Sequence, residues 1–231
     1  VIETYLDQLL PALHNQGHDV ALCCEVDAPA DRPRLTMPPG SPVWRVAETS
    51  TAQALESLRD WRPEVIYTHG LHDPALEKKL PAIAPVVFFA HAYHGTCGGG
   101  AKTFKSPLIE PCARTVGTAC LAQYYPRRCG GLNPVTMWRQ YTHQSARLAN
   151  LHAVETILVH SEHMAEEYGR HGLESKVRKV IFPVEPAASP VTRGKKTPGE
   201  PWRILFLGRC EATKGGAALI AALPEVAAAL G

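Results

Sequence analysis

Leu6, Leu9, Leu10 and Leu13 recur at the i, i+3, i+4, i+7 spacing of a helix with one apolar face. Gly17 stands where that helix would be capped. A short apolar run then fills Asp19 to Glu25 and reads as a buried strand. The alternation repeats down the chain. Strands are predicted over 42–46, 64–68, 86–90, 156–160 and 176–182, and helices over 51–61, 73–83, 134–151 and 161–168. Ser161 is placed to cap the last of these helices. Apolar strands alternating with amphipathic helices predict an α/β fold, a Rossmann-like, doubly wound parallel sheet covered on both faces.

Two stretches break the rhythm. Residues 186–201 mix four prolines with Ser, Thr, Gly and Lys and read as an interdomain linker. Beyond it, Arg203 to Leu207 is a predicted strand, followed by Gly208-Arg209, Lys214-Gly215-Gly216 and an Ala/Leu-rich helix. The expected organisation is an N-terminal Rossmann-like domain over 1–185 and the incomplete start of a second such domain over 202–231. The other break, 91–133, is an insertion rich in Gly, Pro and Cys. Loops of that length inside a compact domain are functional or separately stabilised.

Composition changes this picture little. With 231 residues, 45% hydrophobic and 20% charged, the chain can bury a real core. A net charge of +2 does not announce a nucleic-acid partner, and none is expected. No apolar run is long enough to span a bilayer, and the first residues lack the features of a signal peptide. The expectation is a cytoplasmic protein, peripheral at the inner face of the membrane at most. The missing initiator Met and the ending at Ala227–Gly231 read as a chain cut at both ends. Charge distribution is more telling than the total. Residues 97–147 carry seven basic side chains and one acidic, a local net of +6 against −4 for the remainder.

Three groups of residues are candidates for chemistry. A glycine at a strand end, Gly208, lets a ligand approach the backbone. Arg209 at the turn and Lys214 at the following helix N-terminus would then complete a diphosphate site. The same spacing is met by a plain strand–turn–helix with two solvated cations. His91 follows the run VVFFA at a carboxyl strand end, where α/β sheets place their sites, and forms the cluster HAYHG with His94. A loop histidine bonded to backbone is the alternative. Finally, Cys97, Cys112, Cys120 and Cys129 lie in the insertion without a C-x2-C pair. Three states stay open for them: a four-thiolate metal site holding a structural zinc, reduced buried thiols, or disulfides. Cys23, Cys24 and Cys210 read as packing residues. Around the four cysteines, Lys102, Lys105, Arg127 and Arg128 are interleaved with Phe104, Tyr124, Tyr125, Trp138 and Tyr141. That surface suits an anionic acceptor, such as a lipid-linked phosphate or acidic glycan, or the membrane itself. A solvated basic loop with packing aromatics would look the same.

The order of motifs resembles a known family. Gly17-His18-Asp19-Val20 closes the opening helix, VHSEHMAEEYG and VRKVIFPVEP follow the insertion, and RILFLGRCEATKGG follows the linker. Together they look like the large retaining glycosyltransferase family of GT-B fold, often called family four. The insertion strings GTCGGGAKTFKSP and YYPRRCGGLNPVTMW resemble a bacterial branch of that family that keeps the four cysteines. The resemblance implies two facing Rossmann-like domains and a nucleotide diphosphate sugar as donor. It also implies an acceptor that is a glycan or lipid-linked, and transfer with retained configuration. It assigns Arg209 and Lys214 to the donor diphosphate, so that no catalytic metal is required, and turns His91 towards donor and acceptor. The family's Gly-Gly turn would precede Val1, and its Glu-x7-Glu motif would follow Gly231. Little or no turnover is therefore expected of these 231 residues alone. Two other functions fit the residues: a non-catalytic glycan- or nucleotide-binding module whose basic loop contacts a partner, and a sugar-nucleotide epimerase of the same architecture.

Overall fold

In the computed structural model, residues 2–26, 35–181, 203–208 and 211–230 are described. The chain divides into two compact units, Val1–Pro183 and Val184–Gly231. The first begins with α1 (Ile2–Asn15), which buries Tyr5 and Leu10 and ends before Gly17 at φ +87°. Left-handed backbone at that position favours glycine, and it releases the chain towards β1 (Leu22–Cys24). β1 pairs in parallel with β2 (Val43–Arg45) as a separate two-stranded sheet. α2 (Thr51–Trp61) follows, its first turn capped by the Ser50 hydroxyl accepting from the Gln53 N–H.

The main sheet comprises β3 (Ile66–Thr68), β4 (Val86–Phe89), β7 (Thr156–Val159) and β8 (Val177–Lys179), in the order β3-β4-β7-β8 and all parallel. Central strands of a parallel sheet are covered on both faces, which is why β4 is an unbroken apolar run. Phe88, Phe89, Ala90, Ile157 and Val159 are all at most 1% exposed. The core around them is completed by Leu55 and Leu58 of α2, by Leu151 of α5 (Pro134–Leu151), and by Met164 and Tyr168 of α6 (Glu162–Gly169). The architecture is thus the expected α/β, Rossmann-like one. α5 matches the predicted 134–151. Asn133 starts it, accepting from the Val135 and Thr136 N–H groups at 2.9 and 3.3 Å with Pro134 in the first turn.

Some elements differ from expectation. The helix predicted over 73–83 is broken into α3 (Pro74–Glu77) and a 3₁₀ turn, Leu80–Ala82. Pro81 explains the break: it has no N–H to donate to the Glu77 carbonyl, and its ring crowds that carbonyl. The insertion folds into elements of its own. β5 (Thr103–Phe104) pairs antiparallel with β6 (Glu110–Pro111), and α4 (Ala119–Tyr124) follows. In the second unit, Arg203 to Leu207 carries no strand; a strand needs a ladder partner, and no described residue of that unit supplies one. Its one α-helix among the described residues is α7 (Gly216–Leu230). The expected linker 186–201 lies outside the described residues.

Candidate active site

Parallel pairing sends the carboxyl ends of β3, β4 and β7 to one edge of the sheet, and a histidine leaves each of them. His69 follows Thr68 directly, His91 follows Phe89 and Ala90, and His160 follows Val159. His69 Nδ1 and His91 Nε2 are hydrogen-bonded at 2.7 Å, one ring donating and the other accepting. An aromatic wall backs the pair. The Tyr5 ring meets those of Tyr67, His69, Phe89 and His91 with centroids 5.4 to 6.4 Å apart. The Tyr5 and Tyr67 hydroxyls are hydrogen-bonded at 2.8 Å. The Phe89 ring meets those of His91 and His160 edge-to-face, with centroids at 4.6 and 6.4 Å.

This setting disfavours charge on the imidazoles. Burial, then the neighbouring His91, push His69 down to about 4. Burial, then His160, also hold His91 below the ordinary histidine value. Neutral rings that exchange a hydrogen bond can orient a hydroxyl or polarise a leaving group without first losing a proton. A pH dependence follows. The unfolded chain protonates His69 near pH 6.5 and the folded chain only near pH 4. Stability from this group is therefore complete above about pH 6.5 and falls as pH drops towards about 4. Urea midpoints across that window should decline less steeply in a His69→Gln variant than in the parent; equal slopes would exclude the assignment.

His94, which the sequence groups with His91 in the cluster HAYHG, is turned inward. Its ring packs on Phe88 with centroids 5.0 Å apart, and Nε2 lies 3.2 Å from the buried Glu77 carboxylate. Gly70, at φ +90°, makes room: a Cβ there would stand 2.8 Å from the His94 ring. Burial alone would raise the Glu77 carboxyl, but bonds from His94, Asn150 and the Leu71 N–H outweigh it and hold the group below its usual range. The loop after β3 is fastened from both sides. Glu25 accepts from the His72 and Asp73 N–H groups, and Arg147 donates to the Leu71 and His72 carbonyls.

Lys102 is also not where a surface role would put it. It is 5% exposed, and its ammonium lies 2.6 Å from Glu167 on α6, a residue with no exposure at all. It donates further to the carbonyls of Thr96 and Arg114. Nearby, the Val116 N–H donates to His171 Nε2 at 3.0 Å. Lys102 thus anchors the insertion to the domain. Arg127 pairs with Glu110 and lies 4.2 Å over the Phe104 ring. Lys105 and Arg128 are exposed. Cys97, Cys112, Cys120 and Cys129 form no disulfide and line one cavity.

Within the second unit, Gly208 and Lys214 come together: a Cβ on Gly208 would lie 3.9 Å from that of Lys214. Lys214 is exposed and precedes the first turn of α7, with Gly215 at φ +82° between them. Arg209 lies outside the described residues.

The model of Glycosyltransferase Family 4 matches residues 2–183, nearly all of the first unit. The chain belongs to this family. No curated protein and no solved structure matches it. The histidine-lined edge therefore belongs to a glycosyltransferase domain, which in general serves a sugar donor and an acceptor. Among the described residues no helix is long and apolar enough to cross a membrane. In this family 4 domain the sequence reading found His91 but not His69 or His160. The signal was present, since IYT-His69 and ILV-His160 end their strands just as VVFFA does before His91. Applying the carboxyl-end rule to every strand would have found all three.

Proposed function

We propose that this family 4 chain transfers a hexose from a nucleotide diphosphate sugar to a glycan or lipid-linked acceptor, with retention at the anomeric carbon. The observation that carries the reading is the hydrogen-bonded His69–His91 pair at the carboxyl edge of a family 4 sheet. On this reading the enzyme has the two-domain GT-B arrangement. Residues 1–185 form its acceptor side, and 202–231 open its donor side. His91 orients the reacting hydroxyls rather than attacking, because retention on one face needs no enzyme nucleophile. His69 is a positioning residue that fixes the His91 ring. On the donor side Gly208, Arg209 and Lys214 hold the diphosphate, two cations and a helix N-terminus supplying the charge compensation a metal gives elsewhere.

The insertion supports an anionic acceptor at the inner face of the membrane. Lys105 and Arg128 are exposed there, and so are Leu108 and Ile109, as is Trp138 at the start of α5. Cations beside apolar side chains suit a phosphate carried on a lipid. The test joins these residues to a complete donor-binding domain and supplies nucleotide diphosphate sugars with lipid-phosphate and neutral glycan acceptors. Acceptor-dependent release of nucleotide with a product of unchanged anomeric configuration is expected. Inversion would remove the retaining mechanism. Sugar interconversion without acceptor would identify an epimerase, and nucleotide binding without turnover a binding module.

A further inference from the structure

The insertion is poor in core. None of the buried apolar residues that form the main core lies between residues 91 and 147. Within 97–133 Tyr124 is the one buried hydrophobic among the described residues. Two-residue strands and a six-residue helix gain little shape from so small an apolar core of their own. Small units of this kind are stapled by disulfides or by a metal. The four cysteines are separated along the chain, yet they line a single cavity of about 30 Å³. That is room for one water-sized ion.

Backbone contacts bring them there. The turn after Cys97 is closed by the Gly100 N–H donating to the Cys97 carbonyl at 3.1 Å. It rests on two other cysteines: a Cβ on Gly98 would lie 3.9 Å from Cys120 Cβ, and one on Gly99 only 2.4 Å from the Cys129 carbonyl. Glycine is required at 99 for the chains to approach this closely. Lys102, in left-handed backbone at φ +52°, donates its N–H to Cys97 Sγ at 3.3 Å, and its carbonyl accepts from the Cys112 N–H at 2.8 Å. An amide donor on sulfur stabilises a thiolate.

We propose that Cys97, Cys112, Cys120 and Cys129 bind one zinc ion, which holds the insertion in shape. As placed, the sulfurs do not reach ligand spacing: among the described residues no group of three or more His, Cys, Asp or Glu is gathered tightly enough for a metal. The backbone has done the distant part of the assembly, and staggered χ1 wells decide where each sulfur points. On binding, each thiol passes its proton to solvent and four thiolates meet the ion at about 2.3 Å in a tetrahedron. The product carries a local charge of about −2. Arg114 lines the same cavity and Arg127 acts on Cys129, so part of the basic excess of this region compensates that charge.

The experiment is metal analysis of the purified 231-residue chain with a parallel thiol titration, and it is independent of transferase activity. About one zinc per chain is expected, released as the four insertion thiols are modified with a mercurial. Cys112→Ser and Cys129→Ser should each lose the zinc, whereas Cys23→Ser, at an exposed cysteine outside the cluster, should keep it. If the serine variants fail to fold, the parent chain decides alone. Four freely reactive thiols after zinc addition, two disulfides, or iron with inorganic sulfide in place of zinc would each overturn the proposal.

Discussion

Replacing Lys102 with methionine lowers the stability of the first unit by about 3–5 kcal/mol, because it strands a buried carboxylate. Lys102 and Glu167 side chains are 3% and 0% exposed, and their charged atoms stand 2.6 Å apart. Glu167 would keep Arg170 at 3.0 Å and His171 at 3.6 Å, but Arg170 is itself partly in water and screened. For a domain of this size such a loss moves the thermal midpoint by on the order of 10 °C. Removing both charges is much less harmful, since a neutral pair of similar volume needs no compensation. Thermal melts of Lys102→Met, Glu167→Met and the double variant form the cycle. The double variant should recover most of the loss. A single substitution costing less than about 1 kcal/mol would show that the pair is not buried in solution.

The second large effect concerns His91. In the chain joined to a complete donor-binding domain, His91→Ala should lower kcat for glycosyl transfer by about 10²–10³-fold, the scale for removing one preorganised polar group from a reacting centre. KM for the nucleotide sugar should change little, since the proposed function gives the donor diphosphate to Gly208, Arg209 and Lys214. His69→Gln, acting through the ring it bonds at 2.7 Å, should cost less and fall on kcat as well. Burial and His160 favour the neutral His91 ring, so the acid limb of the kcat/KM profile should lie below the ordinary histidine value of about 6.5. Unchanged kcat in the His91→Ala enzyme would return His91 to a structural role.

Much of this protein was readable from residue order because its main sheet is parallel. Buried strands of that kind are apolar on both faces, so runs such as VVFFA and TILV declare themselves without context. α2 and α5 kept their predicted bounds because Ser50, Asn133 and Pro134 are local start signals. The predicted helix over 73–83 was lost to another local signal, Pro81, which periodicity does not weigh.

The sequence alone determined the α/β class, the family resemblance, the place of His91 at a strand end, and the excess of positive charge in the insertion. Tertiary structure decided the use of each residue. It bonded His69 to His91 across neighbouring strands, turned His94 onto Glu77, and buried Lys102 against Glu167. It also brought four scattered cysteines to one cavity. Those pairings join positions far apart in the chain, and their strength depends on the water excluded around them. A charge count gives Lys102 and Lys105 the same weight. Only burial separates an anchor from a cation that can meet an acceptor.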